Sequence, residues 1–575
     1  MRPQAASAQR DLQRQDTGLE HAAGRYDSPR GLAQSLCSLA LWHWLDAQAK
    51  ADPPSADRGR AGGRPLRILD ASAGEGAFLE GAVRALEERA RLGSPPKGLL
   101  WPDRVEVVGL EASAEAAARA RANLSALLQA GVWGAYSVSL ETCNALQAQR
   151  TESVLGRFDL AVGNPPFVES AAMKLRPDLF DRRAIRDVFE SARGNFDAFV
   201  PFVELSLRAL RPGGVACLIL PNKFLAAPYA SAARSLCLRE AELCALVDLS
   251  RAGAFAAGVY PIAAVLRKRG GRERSARRQV DLFQALGRAG EGGLAPMGQG
   301  DVTWLEIGRG MPWSCLLSPL APLLGRLLEN AQLLGAQAEI RGAATVAEAY
   351  QWLEALEEAD GEGALSRSKD LRPLLCSGAI RPFHTLWGLR PSRYLGRKSL
   401  RPALRLSCAA ISQRRKAQIR AEKLIVSGLA LRPAAFWDWE GAAGAKSTVL
   451  ITQAQMGFGP VAAYLNSRLG AAIYRTLFGG LALAGGYLRI GPQQLRGLFV
   501  PALSRNDIGR LSRLARKASE AGRLLGQGKK EASETLQRAR ARIDLLLEKA
   551  MDLSESDKLV LPSAMNPETI TATTP

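Results

Sequence analysis

Between residues 64 and 270, short apolar runs alternate with longer stretches whose apolar residues recur every three or four positions. The short runs LRILDAS, VEVVGLEA, FDLAVGN, GVACLILP, ELCALVDL and IAAVLRKR read as strands. The longer ones, such as GAFLEGAVRALEERARL and FDAFVPFVELSLRALRPGG, read as amphipathic helices, the second closing on Pro-Gly-Gly. That alternation predicts an α/β domain with a mostly parallel sheet and flanking helices. RKRGGRERSARRQ, from Arg267, is too charged and glycine-rich to pack and reads as a linker or loop. From Val280 to about Ser504 the pattern turns irregular, with helices expected at 319–334 and 345–358 and mixed short strands later. After Asn506 the composition favours helix, and the last residues, 564–575, are expected to be disordered.

Bulk properties narrow the class. The chain has 575 residues, 47% of them hydrophobic, which suits two to four globular domains. Its apolar runs fall far short of the ~20 residues of a membrane helix, and its first residues lack a signal-peptide core, so a cytoplasmic protein without a membrane partner is expected. Eight cysteines without a CxxC pair and three histidines support neither a zinc cluster nor a disulfide framework, so no metal is expected. The net charge of +20 changes the picture more, because it favours a polyanionic partner. Half of that excess lies between Arg390 and Lys423, where eleven basic residues face one acidic residue, Glu422. On charge alone, a solvated face explains the stretch as well as phosphate contact does.

Candidate chemistry starts in LRILDASAGEGAFLEGA, a strand, a small-residue turn and a helix. Ala73, Gly74 and Gly76 let the backbone approach a ligand, and the helix start offers free N–H groups. A dinucleotide fingerprint would need a glycine where Leu79 stands. Asp70 instead puts a carboxylate beside the turn, suited to a cationic amino group. Glu111, ending VEVVGLE one βα unit later, is placed to accept two ribose hydroxyls. A ligand with an amino-acid end and a nucleoside end fits this pair, and S-adenosylmethionine is such a ligand. Taken singly, Asp70 as a helix cap and Glu111 as a surface carboxylate are equally good readings.

The stretch FDLAVGNPPFVES stops a strand on Asn164-Pro165-Pro166-Phe167, since proline lacks a ladder donor and fixes its own φ. This loop resembles the [DNS]-PP-[YF] motif of the amino-methyltransferases, and of the N6-adenine DNA methyltransferases in particular. GRYDSP resembles that family's motif X, DASAGEG its motif I, GLEAS its motif II, and GNFDAFVPFVELSLRALRPGGVACLILPNKF its motifs V and VI. The order, with motif X first, is that of the TaqI-like gamma class. GPVAAYLNSRLGAAIYRTLFGG and LRIGPQQLRGLFVPAL look like the TaqI-type C-terminal specificity domain.

The resemblance implies a Rossmann-like S-adenosylmethionine-dependent catalytic domain over 21–275. It further implies a mixed α+β target-recognition domain over 276–505 and C-terminal helices over 506–563, with 1–20 flexible. Ser28, Asp70, Ala73, Gly74, Gly76, Glu111, Asn144 and Asn164 would hold the cofactor. Asn144 stands where the family commonly has an aspartate, so weaker cofactor binding is expected. Asn164 Oδ1 and the Pro165 carbonyl would accept both N–H groups of an adenine amine, freeing its lone pair for the methyl group. The prolines would preorganise those acceptors. Phe167, and by position Phe255, would stack on the base.

An adenine inside a duplex cannot reach such a pocket, so base flipping of double-stranded DNA follows. Arg397, Lys398, Arg401, Arg414, Arg415 and Lys416, with Trp387, Tyr394, Trp437 and Trp439 nearby, would line the DNA cleft. No Pro-Cys dipeptide supports a cytosine C5 enzyme. With about 20 residues ahead of GRYDSP and no spaced PD and ExK pair, any restriction nuclease or other defence subunit is expected on a separate chain. Methylation of RNA or of a protein glutamine, and a non-catalytic DNA-binding role, stay open as alternatives.

Overall fold

A computed structural model of the chain describes residues 28–50, 64–92, 104–130, 135–250, 261–270, 279–286, 293–301, 312–318, 320–328, 331–360, 368, 370–483 and 486–561. The chain forms two compact units, Met1–Leu317 and Ser318–Pro575.

The first unit is a mixed α/β domain on a nine-stranded sheet, in the order β3-β2-β1-β4-β5-β7-β6-β8-β9. The strands are β1 (Leu66–Asp70), β2 (Arg104–Glu111), β3 (Ala135–Thr142), β4 (Phe158–Gly163), β5 (Leu210–Pro221), β6 (Ala241–Asp248), β7 (Pro261–Lys268), β8 (Gln279–Leu286) and β9 (Gly293–Asp301). β1 to β5 pair in parallel. β7 inserts antiparallel between β5 and β6. β4 is buried along its whole length, which suits its run of apolar residues in a central strand. The chain reverses its direction of winding between β1 and β4, and at such a switch point the carboxyl ends of neighbouring strands leave a crevice.

Helices α1 (Arg30–Lys50), α2 (Ala77–Arg91), α3 (Ala114–Gln129), α4 (Phe199–Ala209) and α5 (Ser231–Glu240) accompany the sheet. α1 and α2 share one core with β1, β4 and β5 through Leu36, Ala40, Val83, Ile68, Val162 and Ile219. Gly81 makes their approach possible: a Cβ there would meet the Ala33 carbonyl carbon and the Gln34 nitrogen at 2.9 Å. Leu79, where a dinucleotide site would want glycine, is fully buried, and its Cδ1 would lie 2.9 Å from a Cβ at Gly109.

The sheet continues past the boundary expected at 275. β8 pairs in parallel with β6, and β9 pairs with β8. Gly-Leu-Ala-Pro-Met-Gly-Gln-Gly in β9 hides its strand character, and its proline is tolerated because β9 is an edge.

In the second unit, Ala338–Gly342, Thr448–Ala454, Lys423–Ser427 and Ala435–Asp438 form an antiparallel sheet in that order. A second four-stranded sheet joins Leu356–Glu358, Pro402–Arg405, Leu371–Leu375 and Ala443–Gly444. Both expected helices are shorter here, Ala321–Leu328 and Val346–Gln351, the latter started by a Thr345–Glu348 capping box. Helices α6 (Gln413–Arg420), α7 (Phe458–Asn466), α8 (Arg468–Phe478), α9 (Arg505–Gly526) and α10 (Ala532–Ala550) belong to the same unit. α9 lies over α7 and pairs with α10, so the C-terminal helices are part of this body. No helix among the described residues is long and apolar enough to cross a membrane.

Candidate functional site

At the switch point, Asp70 ends β1 and Gly163 ends β4, side by side. A Cβ on Gly163 would come within 2.6 Å of Asp70 Oδ1, so only glycine allows this approach. Asn164 follows directly, and its Nδ2 donates to Ser28 Oγ at 3.2 Å. Two stretches 136 residues apart thereby meet, and Ser28 orients the Asn164 amide. Beyond Phe167, Ser170 N–H donates to Asp197 Oδ1 at 2.8 Å and Ala198 N–H donates to the Val168 carbonyl at 2.9 Å. The loop is therefore stiffened by its prolines and tied down at both ends. Pro165 is buried, while Phe167 is half-buried and packs partly against the domain core.

The turn after β1 has Gly74 at φ +53° and Gly76 at φ +91°, conformations that favour glycine. Asp70 Oδ1 accepts the Ser72 N–H at 2.9 Å. Glu111 holds the turn from the neighbouring strand: its oxygens accept Gly74 N–H at 2.9 Å and Ser113 N–H at 2.8 Å. A cavity of about 280 Å³ opens here, lined among others by Ser28, Arg30, Asp70, Gly74, Glu80 and Asn164. Burial pushes the Asp70 carboxyl up to about 7, opposed by the Ser72 N–H and reinforced by Glu111. Glu80 is also raised, again by burial, with Arg30 and Arg84 pulling it back. Among the described residues no cluster could hold a metal ion.

The structure brings Ser28, Asp70, Ala73, Gly74 and Asn164 to this cavity, with Gly76 in the turn and Glu111 bracing it. Asn144 is different. Its Nδ2 donates to the Leu179 carbonyl at 2.8 Å, its Oδ1 accepts Leu146 N–H at 3.0 Å, and it does not line the cavity. These two contacts hold the Asn144 amide to the backbone, and an aspartate there would lose the donor to Leu179. Phe255 lies outside the described residues. Arg30 and Glu80 are among the cavity residues that sequence reasoning missed, with Glu75 and Asn123. Their signals were present: Arg30 follows Ser28-Pro29, and Glu80 stands four residues after Gly76, on the first turn of α2.

The basic stretch of the second unit resolves residue by residue. Arg397 and Lys398 are exposed on a hairpin, Ser392–Tyr394 with Arg397–Ser399, whose turn puts Leu395 and Gly396 at φ +45° and +88°. Arg414 is exposed on α6, and Arg401 and Lys416 are half-buried. Arg415 departs from the expected phosphate contact, because its Nε and Nη2 each donate to Glu348 at 2.8 Å. That bidentate pair holds the Glu348 carboxyl down at about 2. Lys423 is fully buried, its Nζ 2.5 Å from Asp438 Oδ2 and donating also to the carbonyls of Ile419 and Ala421.

The aromatics also depart from a cleft lining. Trp387 is buried and donates to the Pro402 carbonyl at 2.8 Å, and Tyr394 is buried and donates to the Ala349 carbonyl at 2.8 Å. Trp437 and Trp439 stack edge to face at 5.5 Å, with the Arg516 guanidinium 3.8 Å from the Trp439 ring centre. Large rings next to a charged run found partners inside the unit, which is the commoner fate of such residues.

Residues 136–255, from β3 past the end of β6, match the family model described as Eco57I restriction-modification methylase. The match contains the Asn164 loop and not the glycine turn. The Type II methyltransferase M.BstVI of Geobacillus stearothermophilus is 27% identical over 218 residues, 35% of this chain and 37% of that protein. The Type II methyltransferase M.PaeR7I of Pseudomonas aeruginosa is 31% identical over 121 residues, 20% of each chain. The similarity thus covers about a third of the first relative and a fifth of the second. Among solved structures, the Type IIL restriction-modification enzyme MmeI in complex with DNA aligns over 92% of this chain and 74% of its own, with 11% identity and a TM-score of 0.46.

Proposed function

We propose that the protein is an S-adenosylmethionine-dependent DNA methyltransferase of a restriction-modification or related defence system, acting on the N6 amino group of a flipped adenine. The motif order supports a TaqI-like, gamma-class reading. The observation that carries it is the meeting, at one cavity, of the Asn164-Pro165-Pro166-Phe167 loop with the glycine turn of β1 and α2.

The cavity suits the cofactor on three counts. Gly74 adds no side chain to its wall, its carboxylates attract a cation, and Glu80 Oε1 is sealed from solvent without accepting a hydrogen bond. Glu111, which holds the turn through the N–H groups of Gly74 and Ser113, is the carboxylate assigned to the ribose hydroxyls. When bound, the sulfonium cofactor supplies an electrophilic methyl group. The chain's own part is to hold the adenine amine: Asn164 Oδ1 and the Pro165 carbonyl accept its two protons, and the nitrogen lone pair leaves ring conjugation. Phe167 stacks on the base. Ser28, gripping Nδ2, turns Oδ1 toward the amine, so the acceptors need no reordering during transfer.

The test is methyl transfer from labelled S-adenosylmethionine to unmethylated genomic DNA, followed by nucleoside mass spectrometry. N6-methyladenine is expected. Label in N4-methylcytosine, in RNA alone or in protein alone would overturn the adenine reading.

A further inference from the structure

Arg30 and Glu80 face each other across one wall of the cavity. Arg30 opens α1, just after Ser28-Pro29, and Glu80 sits on the first turn of α2. Arg30 Nη2 lies 3.5 Å from Glu80 Oε1. The two ends of this pair differ sharply: the Glu80 side chain is 3% exposed and the Arg30 side chain 63%. Oε1 is shut off from water, yet it accepts no hydrogen bond. Arg30 balances its charge without a hydrogen bond, so a donor that reached Oε1 would add the missing one. The spacing is also rigid, because Gly81 lets α2 lie against the backbone of Ala33 and Gln34, so the Glu80 side of the site does not drift relative to α1.

We infer that Arg30 and Glu80 form a clamp for the zwitterionic amino-acid end of the ligand, Glu80 receiving its α-ammonium and Arg30 its α-carboxylate. This rests on the cofactor reading above. It assigns the ammonium to Glu80, whereas the sequence pointed to Asp70, whose Oδ1 already accepts the Ser72 N–H and packs against Gly163. In the free protein the two side chains neutralise each other. An entering zwitterion carries the same two charges in opposite order, so it replaces one ion pair with two and leaves no net charge buried. The exposed Arg30 side chain can swing aside at little cost, while buried Glu80 stays in place. The burial that raises Glu80's proton affinity also strengthens its attraction for an ammonium.

The clamp predicts discrimination by the amino-acid end alone. Full-length wild type, Glu80→Gln and Arg30→Met are titrated calorimetrically with S-adenosylmethionine, S-adenosylhomocysteine and 5′-methylthioadenosine, which lacks the amino-acid end. Both variants are expected to bind the first two ligands ten- to a hundredfold more weakly and methylthioadenosine within twofold of wild type. Loss for all three ligands alike, or no loss for S-adenosylhomocysteine, would overturn the clamp. If Glu80→Gln does not fold, Arg30→Met decides the matter, since its side chain is largely solvent-exposed. A wild type that binds none of the three ligands sinks the cofactor reading itself. A wild type that binds all three equally leaves that reading standing and removes the clamp.

Discussion

The Asn164 loop and the basic stretch 390–423 are the two loudest signals in the sequence, and folding treats them in opposite ways. The loop keeps its residues together: Asn164 meets Ser28, and the cavity beside it is walled by the turn the sequence marked. The basic stretch disperses. Lys423 goes into the core with Asp438, Arg415 turns to Glu348, and Arg397, Lys398 and Arg414 remain outside. The difference lies in what each signal encodes. A strand end followed by two prolines sets the backbone locally, whatever surrounds it. A run of cations sets only a total charge, and each side chain then finds its own partner.

The sharpest way to break this comparison is at the loop. Asn164→Ala should lower single-turnover methyl transfer by about 10²–10³-fold or more, the size of losing one preorganised partner of a reacting group. Cofactor affinity should stay within about threefold of wild type by calorimetry. Retained turnover would remove Asn164 from the reaction.

At the buried end of the basic stretch, Lys423→Met should destabilise the second unit by ~3–5 kcal/mol, because Asp438 keeps a buried charge without its partner. Asp438 also accepts the N–H groups of Glu440, Gly441 and Ala442, so the turn after Ala435–Asp438 should loosen too. Urea unfolding measures the loss. An unchanged midpoint would mean that Lys423 was a surface cation after all.

A smaller effect separates the exposed cations from the paired one. Replacing both Arg397 and Lys398 by alanine should weaken DNA binding and reduce the slope of log affinity against log salt by up to ~1.8, at ~0.9 per phosphate contact. Arg415→Ala should leave that slope alone and cost about 1 kcal/mol of stability through Glu348. Equal slopes for the two variants would show that the ion pair with Glu348 opens on DNA and that the stretch acts as one patch.

How much could be read beforehand follows the same division. The strands β1, β2, β4, β5, β6 and β7 were visible because strands inside the sheet, parallel or antiparallel, are largely buried and written as near-continuous apolar runs. β3 was not: AYSVSLET lies at the sheet edge with most of its residues exposed or half-buried, so few apolar positions mark it. The glycine turn and its carboxylates were legible as types, but their tasks were not. Asp70 and Glu111 accept backbone N–H groups of the turn they seemed only to accompany. Asn144 was read from its place among the motifs, and its two backbone contacts, with Leu146 and Leu179, come from later residues that no motif includes. Arg30 and Glu80 are 50 positions apart, and only the packing of α1 on α2 at Gly81 joins them.

The finest contrast lies within the cavity, between two buried carboxylates, Asp70 and Glu80, whose proton affinities burial raises. Asp70 is pushed up to about 7, whereas its ordinary value is 3.8. Two consequences run in opposite directions. In the free protein, the unfolded chain ionises from about pH 4 while folded Asp70 does not, so its contribution to stability falls as pH rises from about 4 to 7 and levels off above. For a cationic ligand the sign reverses: Asp70 attracts it only when ionised, so affinity should climb as pH rises through about 7. The groups acting on Asp70 are Ser72, Glu111 and the buried Cys37 thiol, and Glu80 and Arg30 line the same cavity. Burial raises Glu80 too, so wild type alone does not isolate Asp70. Asp70→Asn supplies the difference. Between pH 5.5 and 8.5, wild-type affinity for S-adenosylmethionine should rise about fivefold to tenfold, ~1–1.4 kcal/mol, and the rise should shrink in Asp70→Asn. The same slope in both proteins would remove Asp70 from the effect, leaving it as a brace for the turn and nothing more.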